Sequence, residues 1–219
     1  MTAPATPTST RLELDPRQPD PVVLAQAAAV LAGGGVVAFP TETLYGLAVD
    51  YRNGVALQRL AALKGRDAAK PFPLILARAA EAGALAMAIP PQARALMARH
   101  WPGPLTLVLA ARPGLHPRLV SAEGGVGLRL SPHPVAAGLA RALGRAITAT
   151  SANPGGRPAV SRAADLDPEL VRGVDLVLDA GPTPGGPAST VLDCQEWPPR
   201  LLRAGAVAWP QRAGDSLPD

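Results

Sequence analysis

The sequence of 219 residues predicts an α/β or α+β fold, a single domain built around one sheet. Three observations predict it. Short strand-like runs alternate with helical patterns along the whole chain. The longest of those runs, 105–111 and 126–130, are predominantly apolar, as in a sheet covered on both faces. A hydrophobic content of 47% and a mean hydropathy of +0.14 supply a core that a chain of this length can bury.

The elements follow in order. Asp20 is an N-cap followed by proline at the first helical position. The first helix runs from there through Val22–Leu31 and stops at Gly33-Gly34-Gly35. Val36-Val37-Ala38-Phe39 reads as a buried strand ended by Pro40, and 54–64 as a helix carrying Val55, Leu57, Leu60 and Leu63 near helical spacing. Leu74-Ile75-Leu76 is a short strand, and 78–100 is an Ala-rich helical stretch. Strands are expected at 105–111 and 126–130, a helix at 135–143, and strands at 146–150, 176–178 and 190–192. Residues 1–18 read as a flexible N-terminal tail, 19–210 as the domain and 211–219 as a C-terminal tail. The Pro/Gly-rich stretches 154–158 and 181–188 are loops within that domain.

Composition excludes several function classes. Aromatics are 3%, too few for RNA recognition by rows of stacking rings. The lone cysteine, Cys194, rules out an internal disulfide framework and a multi-Cys zinc site, and it reads as core. His100, His116 and His133 lack metal-ligand spacing; His133, between two prolines before a helix, reads as part of a structural turn. No apolar run reaches the length of a membrane span, and the N-terminus lacks the order of a signal peptide, so a cytoplasmic location is the expectation. The net charge is +4, and of the 21 basic residues only Lys64 and Lys70 are lysines. Both flank Arg66, whereas arginine serves everywhere else.

Four polar clusters follow or interrupt strands, where open α/β sheets bind ligands. Pro40–Leu47 (PTETLYGL) brings two hydroxyls and a carboxylate after a buried strand; turn chemistry and capping by threonine is the structural alternative. Lys64-Gly65-Arg66 with Lys70 places three cations at a helix end, where they suit a phosphate or, alternatively, complement the helix dipole in solvent. In Thr148–Gly156, Ser151 and Asn153 can reach one oxyanion, and the glycines after them let backbone N–H groups approach a phosphate; an ordinary Asn-Pro turn is the alternative. Ser189–Asp193 followed by Arg203-Ala204-Gly205 is the fourth, its alternative a strand with a surface arginine. Gly33-Gly34-Gly35 is not a phosphate loop, because no Gly-Lys-Ser/Thr follows.

Seven motifs stand together in order: PTETLYGL, Lys64-x-Arg66 with Lys70, Trp101-Pro102-Gly103-Pro104-Leu105-Thr106, Val126–Pro134 (VGLRLSPHP), Ser151-x-Asn153, Ser189-Thr190-Val191 and Arg203-x-Gly205. In this order, over about residues 20–208, the chain resembles the YrdC-like L-threonylcarbamoyladenylate synthases, in their short, single-domain form. The resemblance implies an open, twisted mixed sheet flanked by helices, with a large basic central cavity. It implies a nucleotidyltransferase that joins L-threonine, bicarbonate (or CO2) and ATP into threonylcarbamoyl-AMP and releases pyrophosphate. A downstream threonylcarbamoyl-transferase complex then modifies tRNA. By the family pattern, Thr43, Arg129 and Ser189 hold threonine with Thr41 beside them. Arg66, Lys70, Ser151, Asn153 and Arg203 hold ATP. Lys64 lines the same phosphate region, and Lys64 and Arg66 carry the catalytic charge. Mg2+ accompanies ATP, bound mainly through phosphate oxygens and water.

The chain departs from the pattern in two places. Pro158-Ala159-Val160-Ser161 stands where the family often has Pro-Ser-Pro-Thr, and the segment from Lys64 to Pro73-Leu74 is longer than the common form by about two residues. Two other functions compete. A double-stranded RNA or tRNA binding module of the same fold, making an RNA contact without catalysis, would show salt-sensitive RNA affinity and no nucleotide turnover. A carbamoyl-phosphate-handling relative would be expected to carry zinc-finger and acylphosphatase modules. No membrane contact is expected.

Overall fold

The computed structural model describes residues 9–65 and 70–209. In chain order its strands are β1 (Thr10–Glu13), β2 (Val37–Pro40), β3 (Tyr45–Ala48), β4 (Leu74–Ile75), β5 (Leu105–Ala110), β6 (Gly125–Arg129), β7 (Ile147–Thr148), β8 (Thr150–Ser151), β9 (Leu176–Asp179), β10 (Thr190–Asp193) and β11 (Arg200–Arg203). Its helices are α1 (Pro21–Ala32), α2 (Gly54–Lys64), α3 (Ala82–Leu85), α4 (Pro91–His100), α5 (Pro134–Leu143) and α6 (Pro168–Arg172).

Local chemistry sets the helix ends. The Asp20 side chain accepts from Val22 N at 2.8 Å, Pro21 opens α1, and Gly33 closes it. Asn53 caps α2 by accepting from Ala56 N at 3.0 Å, and Gly65 ends it at φ +53°, a conformation that favours glycine. His133 caps α5: its Nδ1 accepts from Val135 N at 3.3 Å. That is the structural turn expected of it.

The α/β class stands, but the expected single sheet is divided in two. One sheet has the order β1-β9-β2-β3-β8 and the other β11-β10-β5-β6-β4-β7, with parallel and antiparallel pairs in both. The expected strand 146–150 is the reason. It is interrupted at Ala149, whose N–H leaves both ladders and donates to Pro73 O at 2.8 Å. β7 therefore pairs β4 in one sheet and β8 pairs β3 in the other. Helices α1 and α5 cover one face of the first sheet, packing Leu24, Leu31, Val135 and Leu139 against Val37, Phe39 and Leu178. A Cβ on Gly138 would come 2.6 Å from Leu24 Cδ1, so the small residue permits the close helix contact. The larger core lies between the sheets and gathers Leu47, Leu57, Leu74, Leu107 and Leu128.

Further expectations are corrected. Residues 10–13 are not tail: they form β1, parallel to β9 and fastened by an Arg11–Asp179 ion pair. The helical stretch 78–100 is broken into a 3-10 turn at Ala79–Glu81, α3 and α4, because Ile89-Pro90-Pro91 cannot continue a helix. β3 lies where only a polar cluster was expected, and β11 adds an edge strand after β10. The expected C-terminal tail, 211–219, lies outside the described residues. Cys194 is core, as expected: burial and nearby Asp193 push its thiol up to about 12. Among the described residues no helix is long and apolar enough to cross a membrane.

Candidate active site

A cavity of about 530 Å³ opens where the two sheets meet, around the β7–β8 switch. Every candidate residue from the sequence lines it except Arg66, which lies outside the described residues. Thr41 and Thr43 come from the turn between β2 and β3. Lys64 comes from the last turn of α2, Lys70 from the segment after it, Arg129 from the end of β6, Ser151 from β8, Asn153 from the loop beyond, Ser189 from the position just before β10 and Arg203 from β11.

Each group is fixed by local bonding. Thr41 Oγ1 closes the turn: it donates to Leu44 O at 2.7 Å and accepts from Thr43 N at 3.2 Å and Leu44 N at 3.3 Å. Turn chemistry, the alternative weighed for this cluster, therefore occupies Thr41, while Thr43 stands beside it on the same wall. From the other side Thr183 Oγ1 and Gly185 N donate to Thr43 O at 2.8 and 2.9 Å.

Lys64 is 5% exposed. Its Nζ donates to Ser151 O at 2.6 Å, to Asn153 Oδ1 at 3.0 Å and to Asn153 O. The helix-end cation thus grips the Ser-x-Asn loop rather than standing in solvent. The glycine after that loop serves the same junction. Gly155 N donates to Lys64 O at 3.0 Å, so this N–H is spent on the protein rather than offered to a phosphate.

Across the cavity Arg203, exposed at the rim, donates through Nε and Nη2 to Ser189 O at 3.0 and 2.6 Å, and through Nη2 to Ser189 Oγ at 2.9 Å. Thr106 Oγ1 lies 3.0 Å from Ser189 Oγ and also faces the cavity. Gly205 makes this junction possible: a Cβ there would meet Ala188 O at 2.2 Å and Thr190 N at 2.5 Å. The Arg203-x-Gly205 motif thereby has a packing reason as well as a chemical one.

Arg129 is 7% exposed and forms an ion pair with Glu42. Burial, and then the like charge of Arg203, push its guanidinium down to about 10, so it remains protonated at neutral pH. The described lining thus offers four cations, several hydroxyls and an amide, and among the described residues it holds no carboxylate. It is built for anions.

The sequence reading named no role for Thr106 or Ser131, and counted Glu42 only as the carboxylate of the Pro40–Leu47 cluster. Their signals lay inside motifs already singled out, at the end of Trp101–Thr106, within Pro40–Leu47 and within Val126–Pro134. Ala159, at the first departure from the pattern, also lines the cavity and brings a methyl group to it.

Comparison with known proteins gives a consistent picture. The family model Sua5_yciO_yrdC, described as telomere recombination, matches residues 29–205. A Bacillus subtilis protein named threonylcarbamoyl-AMP synthase is 40% identical over 185 residues, 84% of this chain and 54% of that protein. A Pyrococcus abyssi protein of the same name is 39% identical over 184 residues, 83% of this chain and 53% of that protein. The crystal structure of P. abyssi Sua5 complexed with L-threonine superposes with a TM-score of 0.86 at 34% identity, covering 91% of this chain and 58% of that one. The chain therefore spans about half the length of these curated relatives.

Proposed function

The chain belongs to the Sua5/YciO/YrdC family, and from the contents of its cavity we propose that it is an enzyme making L-threonylcarbamoyladenylate from L-threonine, bicarbonate or CO2, and ATP, with release of pyrophosphate. One observation carries the reading: cations and hydroxyls from β6, β8, the position before β10, β11 and the end of α2 converge on a single cavity. The name of the relatives and the threonine in the P. abyssi structure support it.

The chemistry fits such a site. The threonine amine adds to CO2, or to bicarbonate with loss of water: an N–C bond forms as a C–O bond opens or breaks, nitrogen gives up a proton to solvent or to the departing hydroxide, and a carbamate results. A carbamate oxygen then attacks the α-phosphorus of ATP, the bond to the β-phosphate bridge breaks, and pyrophosphate departs. Carbamate and triphosphate are both anions, so the barrier lies in bringing them together and stabilising the charge that moves. No Ser-His-Asp machinery is required.

Arg129 suits the threonine carboxylate, because a guanidinium matches a carboxylate bidentately. Thr43 and Ser189, which line the same cavity, suit the polar groups of threonine. Lys70, Ser151, Asn153 and Arg203 suit the nucleotide, together with Arg66. Lys64 holds the Ser151–Asn153 loop in place and supplies fixed positive charge beside it. Mg2+ would arrive on the phosphates and spread their charge; a lining of hydroxyls and cations suits a metal carried by its substrate. The product would pass to a threonylcarbamoyl-transferase acting on tRNA, in a cytoplasmic setting.

The test is pyrophosphate release by the purified chain with ATP and Mg2+. The proposal expects release that requires both threonine and bicarbonate. Release that persists unchanged without threonine would refute it.

A further inference from the structure

The turn between β2 and β3 carries a carboxylate that the proposed reaction does not use. Glu42 accepts from Arg129 Nη1 through Oε1 and from Ser131 Oγ through Oε2. Ser131 Oγ in turn accepts the backbone N–H of His133 at 3.2 Å. A hydroxyl has one proton to give, and the acceptor-only carboxylate takes it. His133 is itself held as the cap of α5. A chain of bonds thus runs from the start of α5 through Ser131 and Glu42 to Arg129.

The placement of these groups decides their role. The Arg129 and Glu42 side chains are 8% and 11% exposed, and Ser131 is 2% exposed. Arg129 lines the cavity, whereas Glu42 and Ser131 do not. The carboxylate therefore meets the guanidinium from behind the cavity wall, at one nitrogen of its fork. A guanidinium presents five N–H donors around a rigid plane. Anchoring it at Nη1 fixes the plane and leaves donors for a ligand. An arginine this buried, with a second guanidinium close by, also needs a countercharge to keep its own charge and position. Glu42 supplies both.

We propose that Glu42, held by Ser131, is a positioning residue for Arg129: it anchors the guanidinium from behind so that the rest of the fork faces the threonine carboxylate. The inference rests on the synthase reading of the cavity. It assigns Glu42 to threonine recognition alone and gives it no part in holding the nucleotide.

Calorimetry with threonine, and separately with a non-hydrolysable ATP analogue, tests this on the full chain. Glu42→Gln keeps the shape and one acceptor oxygen but removes the charge. Ser131→Ala removes the support and leaves the carboxylate, so it serves should Glu42→Gln fail to fold. The expected result is a threonine Kd raised about tenfold or more in Glu42→Gln, and severalfold in Ser131→Ala, with analogue Kd within about twofold of wild type. Threonine affinity unchanged in both variants overturns the inference. So does a parallel loss of threonine and nucleotide affinity, which would mark Glu42 as a general structural prop. A wild-type chain that binds no threonine overturns the synthase reading and this inference with it. A wild type that binds threonine, beside a Glu42→Gln variant that binds it equally well, overturns the inference alone.

Discussion

Replacing Lys64 by methionine keeps an unbranched apolar stem and deletes the ammonium. In the structure that ammonium donates to Ser151 O, Asn153 O and Asn153 Oδ1, and it is 5% exposed. Hydrogen bonds to a charged group are worth about 1.5–3 kcal/mol each, which sets a ceiling of about 9 kcal/mol for three. They share one donor and open onto a cavity from which water can replace part of the loss, so a net cost of about 2–4 kcal/mol is expected. In a chain of this size that lowers Tm by roughly 5–15 °C. The loop it grips carries Ser151 and Asn153, so turnover should fall by about 10²-fold or more. Thermal unfolding and pyrophosphate release measure the two effects together. A Tm within about 2 °C of wild type, with turnover nearly unchanged, would refute the view that Lys64 organises this wall of the cavity.

Gly205→Ala should lower stability by about 1–3 kcal/mol, because the new methyl meets Ala188 O and Thr190 N and must push the segment carrying Ser189. Turnover should fall by about 10²-fold, since the displacement reaches a cavity-lining hydroxyl. His133 gives a pH dependence. Burial holds it down to about 4, against 6.5 ordinarily. The unfolded chain therefore takes up this proton first, and the stabilisation, complete above pH 6.5, is lost as pH falls toward 4. His133→Asn retains a capping acceptor but does not titrate. Its Tm should fall less than that of wild type between pH 7 and pH 5, and equal slopes in the two proteins would contradict the assignment. At the β1 edge, Arg11→Ala should cost under about 1 kcal/mol, because its side chain is 47% exposed. Asp179→Ala should cost about 1–3 kcal/mol, because its carboxylate also accepts from Gly181 N at 3.0 Å and from Tyr45 OH at 3.3 Å. Chemical denaturation of both variants compares them.

Helices α1, α2 and α5 were legible, because their ends are marked by local chemistry, whereas 78–100 was read as one stretch and α6 was not read. Asp20-Pro21, Asn53 and His133-Pro134 all start helices, and Gly33, Gly65 and Gly144 all end them. The strands were read less well where pairing, not pattern, defines them. β3 is buried on both faces and directly follows the polar turn 41–44, so period-2 alternation never shows. β1 is mostly exposed and depends on β9 and the Arg11–Asp179 pair for its order. The switch at Ala149 is a tertiary event, since nothing in the stretch 146–150 says which ladder each half will join. The cavity was legible as a set of motifs, and the structure brings their described candidate site residues together. The bonding within it was not legible. That Lys64 grips a loop, that Gly155 spends its N–H on Lys64, and that Glu42 stands behind Arg129 all depend on segments distant in sequence.

The central claim is that this cavity joins three small molecules into one adenylate. The most direct measurement incubates the purified chain with ATP, Mg2+, threonine and carbon-labelled bicarbonate and identifies the products by mass. The account predicts an adenylate that contains threonine, the labelled carbon and AMP, formed together with pyrophosphate and absent when threonine or bicarbonate is omitted. Pyrophosphate or AMP formed without such an adduct, or no turnover of ATP in the presence of all three substrates, would contradict it.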